Sequence, residues 1–522
     1  MKPSKKFSTR MSAATKWRHA AKPYIEEILK HCCPGREHDF DRGTSVTEYE
    51  STVFHSLPEE LARDLAADLV TYYTPSEDRW QEYEVITPVS EDNAEEVKAL
   101  VSSREDEFFD MIASSNYNDI APQWGFEAAT HGTPALWVTQ NTIFQELHFE
   151  IVPPNELLIV PGFRGILDRF REMTVSAETL EAQLADEPVD LSSDKIRAKM
   201  DKDGTVCKLV YGFWLDWSDP ARPQWHMEIT VDGEAVTRAA MSPVPAPEGQ
   251  ETIVNIGDLP GSCPLLVGRF NPQPRRPWGR GAGWSALPDI RSLDTVEDIV
   301  QTGMDESLKR TLIYPDDGFI DMEEGLEAGR AYPASSGFTR DQIYEFPPVT
   351  NLDAGYYSRA DFEERLRRLF YQDGPRQTGD TPPTATQWVD QRRRVQQRLG
   401  KPSAPLWSEM ILPMVQRIEF LGVKSGRLKD ALSHNGQAIL VQPRSPLQKA
   451  QMLDQMQTSR ANLDLGFQTL GEQTPMVIDM HATLSKHIDA SGDRLTVLAP
   501  KQKKQQPTEG AAPNGAPAET GQ

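Results

Sequence analysis

The chain has 522 residues, with 55 lysine and arginine side chains against 78 aspartate and glutamate, a formal net charge of −23 at neutral pH. A length of this order buries a substantial core and divides into more than one domain, while the acidic balance excludes a protein that grips nucleic acid over its whole surface. Four cysteines, two adjacent (Cys32 and Cys33) and two isolated (Cys207 and Cys263), give neither a disulfide framework nor a zinc spacing and suit a reducing compartment.

The first 22 residues carry seven basic side chains and no acidic one. That pattern superficially suits a transit peptide, but it has no apolar core of a secretory signal; the simpler reading is a basic segment leading into a helix over 17–32, WRHAAKPYIEEILKHC. His31, Cys32, Cys33 and His38 fit no standard zinc spacing and read as a helix end. Apolar residues at spacings of three and four predict helices over 60–73 and 91–115. From about 134 to 265 the texture turns to short β-rich runs, interrupted by one helical insert at 176–186. Asp232-Gly233, between two alternating segments, marks a tight hairpin. Asp201, Asp203 and Gly204 echo the start of a calcium loop but lack its closing glutamate, so a turn explains them.

A second helical block is expected from Ser285 to about 310, with Pro288 in its first turn and Leu287, Ile290, Leu293, Val296, Val300, Met304 and Leu308 along one face. At 1.5 Å per residue it would run roughly 39 Å. Residues 313–350 return to turns and short strands. Another helix is expected to start at a capping pair, Ser358 with Asp361, and to bury Phe362, Leu366, Leu369 and Phe370. After the loop GPRQTGDTPP, a long helix over 384–422 carries one broad apolar face, and Pro402, Pro405 and Pro413 predict a bend or break near 401–404. Helical zones follow at 445–471 and 478–490. The tail from Lys501 to Gln522 has no aliphatic side chain larger than alanine and is expected to be disordered. No run approaches the 18 apolar residues of a membrane helix. The fold class is α+β.

Enzymatic signatures are missing: no GxxxxGK[ST] phosphate loop, HExxH, GxSxG or CxxC occurs. Gly279, Gly281 and Gly283 have the wrong spacing for a dinucleotide loop and read as a flexible entry to the helix, since glycine permits positive φ at a sharp turn. No residue pattern in the chain points to a catalytic residue, cofactor site or metal site, and a cytoplasmic multidomain hydrolase using a carboxylate pair in the β-rich half stays open as the alternative. Arg392, Arg393 and Arg394 are the densest internal cation run; on a helix they fan over about 200°, which suits intersubunit salt bridges or a solvated face better than one phosphate strand.

Five blocks taken in order, at 49–80, 113–138, 149–183, 278–290 (WGRGAGWSALPDI) and 384–400 (TATQWVDQRRRVQQRLG), resemble the head-to-tail connector, or portal, protein of short-tailed bacteriophages. The resemblance covers about 17–498. It departs from the family at Gln387, where an acid often follows Thr-Ala-Thr, and at Trp80-Gln81-Glu82, where an aromatic-Phe pair is usual. It implies a ring of about twelve identical subunits at one capsid vertex, through which double-stranded DNA passes. It further implies a wing at 1–285 with 385–425, stem helices at 286–312 and 351–373, a clip at 313–350 and a crown at 426–499. The tunnel loop at 374–384 would present Arg376, Gln377 and Thr378 to DNA. Terminase, a tail adaptor, and major capsid and scaffolding proteins would be the partners.

Overall fold

The computed structural model describes residues 2–36, 53–76, 79–86, 94–141, 145–162, 165–185, 187–202, 204–237, 252–308, 312–313, 344–345, 353–373, 385–429, 432–434, 437–439, 441–443, 446–471 and 478–491. They fall into two compact units, 1–443 and 444–522.

The first unit opens with α1 (Lys5–Cys32), a helix twelve residues longer at its start than the sequence suggests. Ser4 caps it, its side chain accepting from the Phe7 amide. The early start has an electrostatic reason: the basic segment lies on acids of the β-rich half. Arg10 pairs with Asp168, Lys6 with Asp216, Arg18 with Glu172, and Ser4 donates through both its amide and hydroxyl to Glu228. His31 and Cys32 are buried at the helix end, where burial pushes the Cys32 thiol up to about 12. Three further helices follow, α2 (Leu57–Tyr73), α3 (Ala94–Ala113) and α4 (Tyr117–Ala129), separated in sequence by the short strand β1 (Tyr83–Val85).

The β-rich half matches its expected limits. Strands β2 (Ala135–Gln140) and β3 (Leu147–Ile151) form an antiparallel pair, and β10 (Leu265–Val267) adds to the free side of β2. A second sheet runs β4 (Leu157–Gly162), β5 (Gly165–Ser176), β6 (Val206–Asp216), β7 (Gln224–Val231), β8 (Glu234–Ala235), with β9 (Val254–Gly257) also on β7. Every pairing is antiparallel. Asp232 (φ +48°) and Gly233 (φ +79°) make the hairpin between β7 and β8, the left-handed pair that a two-residue turn requires. The helical insert is found at α5 (Leu180–Gln183), and α6 (Asp194–Met200) joins it. Gly212 of β6 sits opposite Phe170, and a β-carbon there would strike Phe7 and Phe170 at 2.6 and 2.8 Å; its absence lets Phe7 of α1 pack edge-on to Phe170 at 5.5 Å.

Helix α7 (Ala282–Leu308) starts three residues early, so Pro288 lies in its second turn rather than its first. The apolar stripe is buried at Leu287, Ile290, Leu293 and Val300, but Met304 is 45% exposed. Between α7 and α8 (Asp353–Leu369), only the short antiparallel pair β11 (Leu312–Ile313) and β12 (Tyr344–Glu345) is described. Ser358 lies inside α8, so it does not cap the helix as the sequence suggested. The expected break near 401–404 is also absent: α9 (Ala385–Leu406) runs through Pro402 and Pro405 into a π-helical turn at Trp407–Ile411 and then α10 (Leu412–Lys424). Bonds to neighbouring carbonyls tie this stretch of the helix to itself and to the surrounding core. The Ser403 hydroxyl donates to the Leu399 carbonyl, the buried Tyr73 hydroxyl donates to the Ser403 carbonyl, and the Asn271 amide donates to the Pro402 carbonyl. The wider π turn then lies directly ahead of Pro413, the position at which an α-helical carbonyl would meet the pyrrolidine ring. The unit closes with β13 (Leu432–His434), β14 (Gln437–Ile439) and β15 (Val441–Pro443), the last pairing with β1.

One core joins the helices: Leu61, Leu65 and Leu69 of α2, Phe108 of α3, Trp124 of α4, Ile290 of α7, Leu366 and Phe370, and Met410, Met414 and Ile418. Another fills the space over the larger sheet, from Leu157 and Ile159 to Phe213 and Ile229. The second unit consists of α11 (Pro446–Leu470) and α12 (Met480–Ser491), close to their expected limits, with His487 and Ser459 bonded at 2.9 Å. The tail beyond 500 lies outside the described residues. Among those residues no helix is long and apolar enough to cross a membrane.

Candidate functional site

Helices α7 and α8 pack against each other, and their ion pairs report their relative direction. Arg359 pairs with Glu297 at 3.2 Å and Arg365 with Asp289 at 4.0 Å, so the position on α7 falls as that on α8 rises and the two helices run antiparallel. Arg359 also bonds Glu363 on its own helix, and His55 lies 3.6 Å from Glu363. These partly exposed pairs contribute at most about 1 kcal/mol each; the seam of Leu287, Ile290, Leu293, Leu366 and Phe370 carries the packing.

At its far end α8 leads into segment 374–384, which lies outside the described residues. Tyr371 adopts a left-handed conformation (φ +62°), which turns the chain off the helix. Several contacts fix that turn. Phe270 meets the Tyr371 ring edge-on, burial pushes the Tyr371 hydroxyl pKa up, and the Arg398 guanidinium of α9 lies 5.5 Å from the ring centroid. Arg398 also grips Asp373 with two nitrogens at 2.6 and 3.2 Å and reaches the Arg368 carbonyl, while Gln372 donates to Asp68 of α2. The last residue before the loop is therefore tied to the helix that follows it. Nothing local in the sequence announces this clamp, because Arg398 and Asp373 are 25 residues apart.

The glycine-rich block before α7 is the second built feature. None of Gly279, Gly281 and Gly283 uses the positive φ that glycine would permit at a turn here. Their role is close approach. A β-carbon at Gly279 would lie 2.0 Å from the Gly132 carbonyl oxygen, and one at Gly281 2.2 Å from that of Thr130. The left-handed residue is instead Gly132 (φ +85°), on the facing segment. Bonds lock the two segments: the Phe270 amide donates to Gly132, the Arg280 amide to Phe270, and the Gly279 amide to the Thr133 hydroxyl.

Beneath this contact lies a buried charge cluster that the sequence gave no reason to single out. Glu127 and His131, one helical turn apart, bond to each other, and Arg36 reaches Glu127 at 2.7 Å. The Thr133 amide donates to His131 Nδ1, leaving Nε2 to carry the proton toward Glu127. Burial alone would raise the Glu127 pKa, but His131 and Arg36 outweigh it and hold the carboxyl down at about 2. Arg417 of α10 is buried too and donates to the carbonyls of Val138, Gly261 and Ser262; burial lowers its pKa to about 10. In the β-rich half the buried Asp168 and Glu172 are ion-paired, and Glu228 is held by Ser4. Among the described residues no group of three or more histidine, cysteine, aspartate or glutamate side chains could hold a metal.

The family model for the bacteriophage head-to-tail connecting protein matches residues 4–498. The chain belongs to that family. No curated protein matches it. Among solved structures it resembles a chain of the "virion of native gene transfer agent (GTA) particle", at 10% identity over 81% of this chain and 87% of that one, with a TM-score of 0.33. A chain from the "neck of empty GTA particle computed with C6 symmetry" matches at 11% identity over 80% and 86%, with a TM-score of 0.31.

For the connector residues expected to meet DNA, Arg376, Gln377 and Thr378 lie outside the described residues. Arg392 and Arg393 lie on α9 with side chains outside the described set, and Arg394 is exposed on the same helix. Most of the segment expected to form the clip is likewise outside the description.

Proposed function

We propose that this connector protein closes into a ring of about twelve copies at one capsid vertex and acts as the portal through which double-stranded DNA is packaged and ejected. Family membership over 4–498 carries the reading. On it, the body with α9 and α10 is the wing, α7 and α8 are the stem, 313–350 the clip that docks terminase and then a tail adaptor, 374–384 the tunnel loop, and 426–499 the crown within the head. Capsid and scaffolding proteins surround the wing. The short-tailed type of phage is part of this proposal.

Two features support it. Ile299 and Met304 on α7 are 62% and 45% exposed, and Leu465 and Phe467 on α11 are 58% and 47% exposed, so both units present apolar side chains that neighbouring copies would cover. Secondly, a conduit must surround duplex without holding it, because every tight phosphate contact has to be broken at each advance. A net charge of −23 leaves no deep binding well, while an arginine at the constriction gives brief contact. Energy for packaging then comes from the docked motor. Native mass measurement of the purified chain tests the ring: a closed particle many times 58.6 kDa is expected, and a strict monomer at micromolar concentration and moderate salt would sink the proposal.

A further inference from the structure

Helix α1 and the segment 273–284 enclose a groove of about 440 Å³ with aromatic walls, to which Trp17, Tyr24, Trp278 and Trp284 contribute. Tyr24 stacks on Trp284 with centroids 5.4 Å apart and planes at 19°, yet remains 48% exposed. The Arg280 guanidinium stands 5.8 Å from the same Trp284 ring. Past Trp17 the groove continues along α1 over Ser8, Ser12 and Ala13, small side chains over which another backbone can pass closely.

The charge of this groove runs against that of the chain. Lys16, Arg276 and Arg280 line it and Arg275 adjoins it; all four are exposed, and no carboxylate lines it. None of these four side chains makes an ion pair among the described residues, whereas Arg10, Arg18, Arg171, Arg269 and Arg398 are all paired. Trp278, only 5% exposed, also lines the groove, and its indole N–H has no acceptor among the described residues. Most buried donors have a protein or water partner, so this N–H is open to an acceptor that enters the groove.

We infer that the groove receives an acidic segment of a second copy of this chain, forming the socket half of the head-to-tail contact in the ring proposed above, on which reading the inference rests. Carboxylates of the neighbour pair with Arg276 and Arg280, its backbone runs over the small residues of α1, and one of its oxygens accepts from Trp278. Copies that each carry −23 repel one another, so a basic socket facing an acidic surface is what permits them to close up. Each copy then offers two unlike faces, as a rotationally closed ring requires.

The test uses the full chain with Arg276→Glu and Arg280→Glu together, compared with wild type by native mass spectrometry. The ring fraction at micromolar concentration should fall by about tenfold or more, with the circular dichroism spectrum unchanged because both side chains are exposed. In a second arm, a photo-crosslinking p-benzoylphenylalanine replaces Tyr24 in a mixture of ¹⁴N and ¹⁵N protein with duplex DNA present. Crosslinks joining light to heavy chains at peptides rich in aspartate or glutamate support the socket. Wild-type rings beside an equally assembled double variant overturn the socket but leave the ring standing, and so do crosslinks confined to one chain or made only to DNA. A wild type that never assembles overturns both.

Discussion

Replacing Gly281 with alanine asks why the block 278–284 is rich in glycine. The new methyl would lie 2.2 Å from the Thr130 carbonyl oxygen and 2.7 Å from that of Ala129, where ordinary contact begins at 3.4 Å. The start of α7 and the end of α4 must therefore part by roughly 1 Å in an interior packed as densely as a crystal. Overpacking of this kind costs about 1–3 kcal/mol, and stretching the Arg280-to-Phe270 and Gly279-to-Thr133 bonds adds about 1 kcal/mol each. The sum is about 3–5 kcal/mol. Gly204→Ala is the control: its φ is +70° and nothing lies within 4 Å, so only the left-handed penalty of about 1–2 kcal/mol applies. Unfolding entropy of about 2.1 cal/mol/K per residue gives roughly 0.9 kcal/mol/K for the unit spanning 1–443. Calorimetry in one buffer and one assembly state should then show Tm lowered by about 3–5 °C for Gly281→Ala and by about 1–2 °C for Gly204→Ala. Equal shifts, or a Gly281→Ala chain that melts like wild type, would refute close approach as the reason for the glycine.

Two other outcomes are expected. Glu127 is held at about 2 when folded against an ordinary 4.5, so its contribution is complete above pH 4.5 and is lost as the pH falls toward 2, an effect of roughly 3 kcal/mol. In Glu127→Gln, urea midpoints followed down through that window should lose this acid-dependent part; an unchanged slope would assign the acid sensitivity elsewhere. On the proposed tunnel-loop reading, Arg376→Glu should leave the assembled particle intact, since a solvent-facing charge contributes at most about 1 kcal/mol, while changing DNA packaging or retention. Normal packaging by rings carrying Glu at this position would remove Arg376 from the channel wall, and loss of the ring would make the loop an intersubunit contact.

Periodicity alone located α2, α7, α8 and the α9–α10 rod to within a few residues, because each buries a stripe that repeats every three or four positions. The Asp232-Gly233 turn was equally legible, its backbone demand being local. What failed was set by partners distant in sequence. Pro402 and Pro405 looked like a break because the contacts that hold this stretch, from Tyr73 and the Asn271 amide, come from far away in the chain. Gly279 and Gly281 looked like a turn because a facing backbone leaves no mark in the sequence beyond the glycine itself. The loop-base clamp and the Glu127–His131–Arg36 cluster were invisible for the same reason: only the fold brings Arg398 to Asp373 and Arg36 to Glu127.

The basic start of α1 has a consequence for how the chain is made. Arg10, Ser4 and Lys6 find their acids on strands β5, β7 and β6, and the bond from Ser4 to Glu228 spans 224 residues. Those strands leave the ribosome long after the helix does. At about 5–20 residues per second, the cationic segment waits roughly 10–45 s for the sheet that neutralises it. During that interval Phe7 has no Phe170 to pack against, and the helix has only its own weak propensity. Docking of α1 is therefore a late, high-contact-order event, complete only after β7 has brought Glu228 to Ser4.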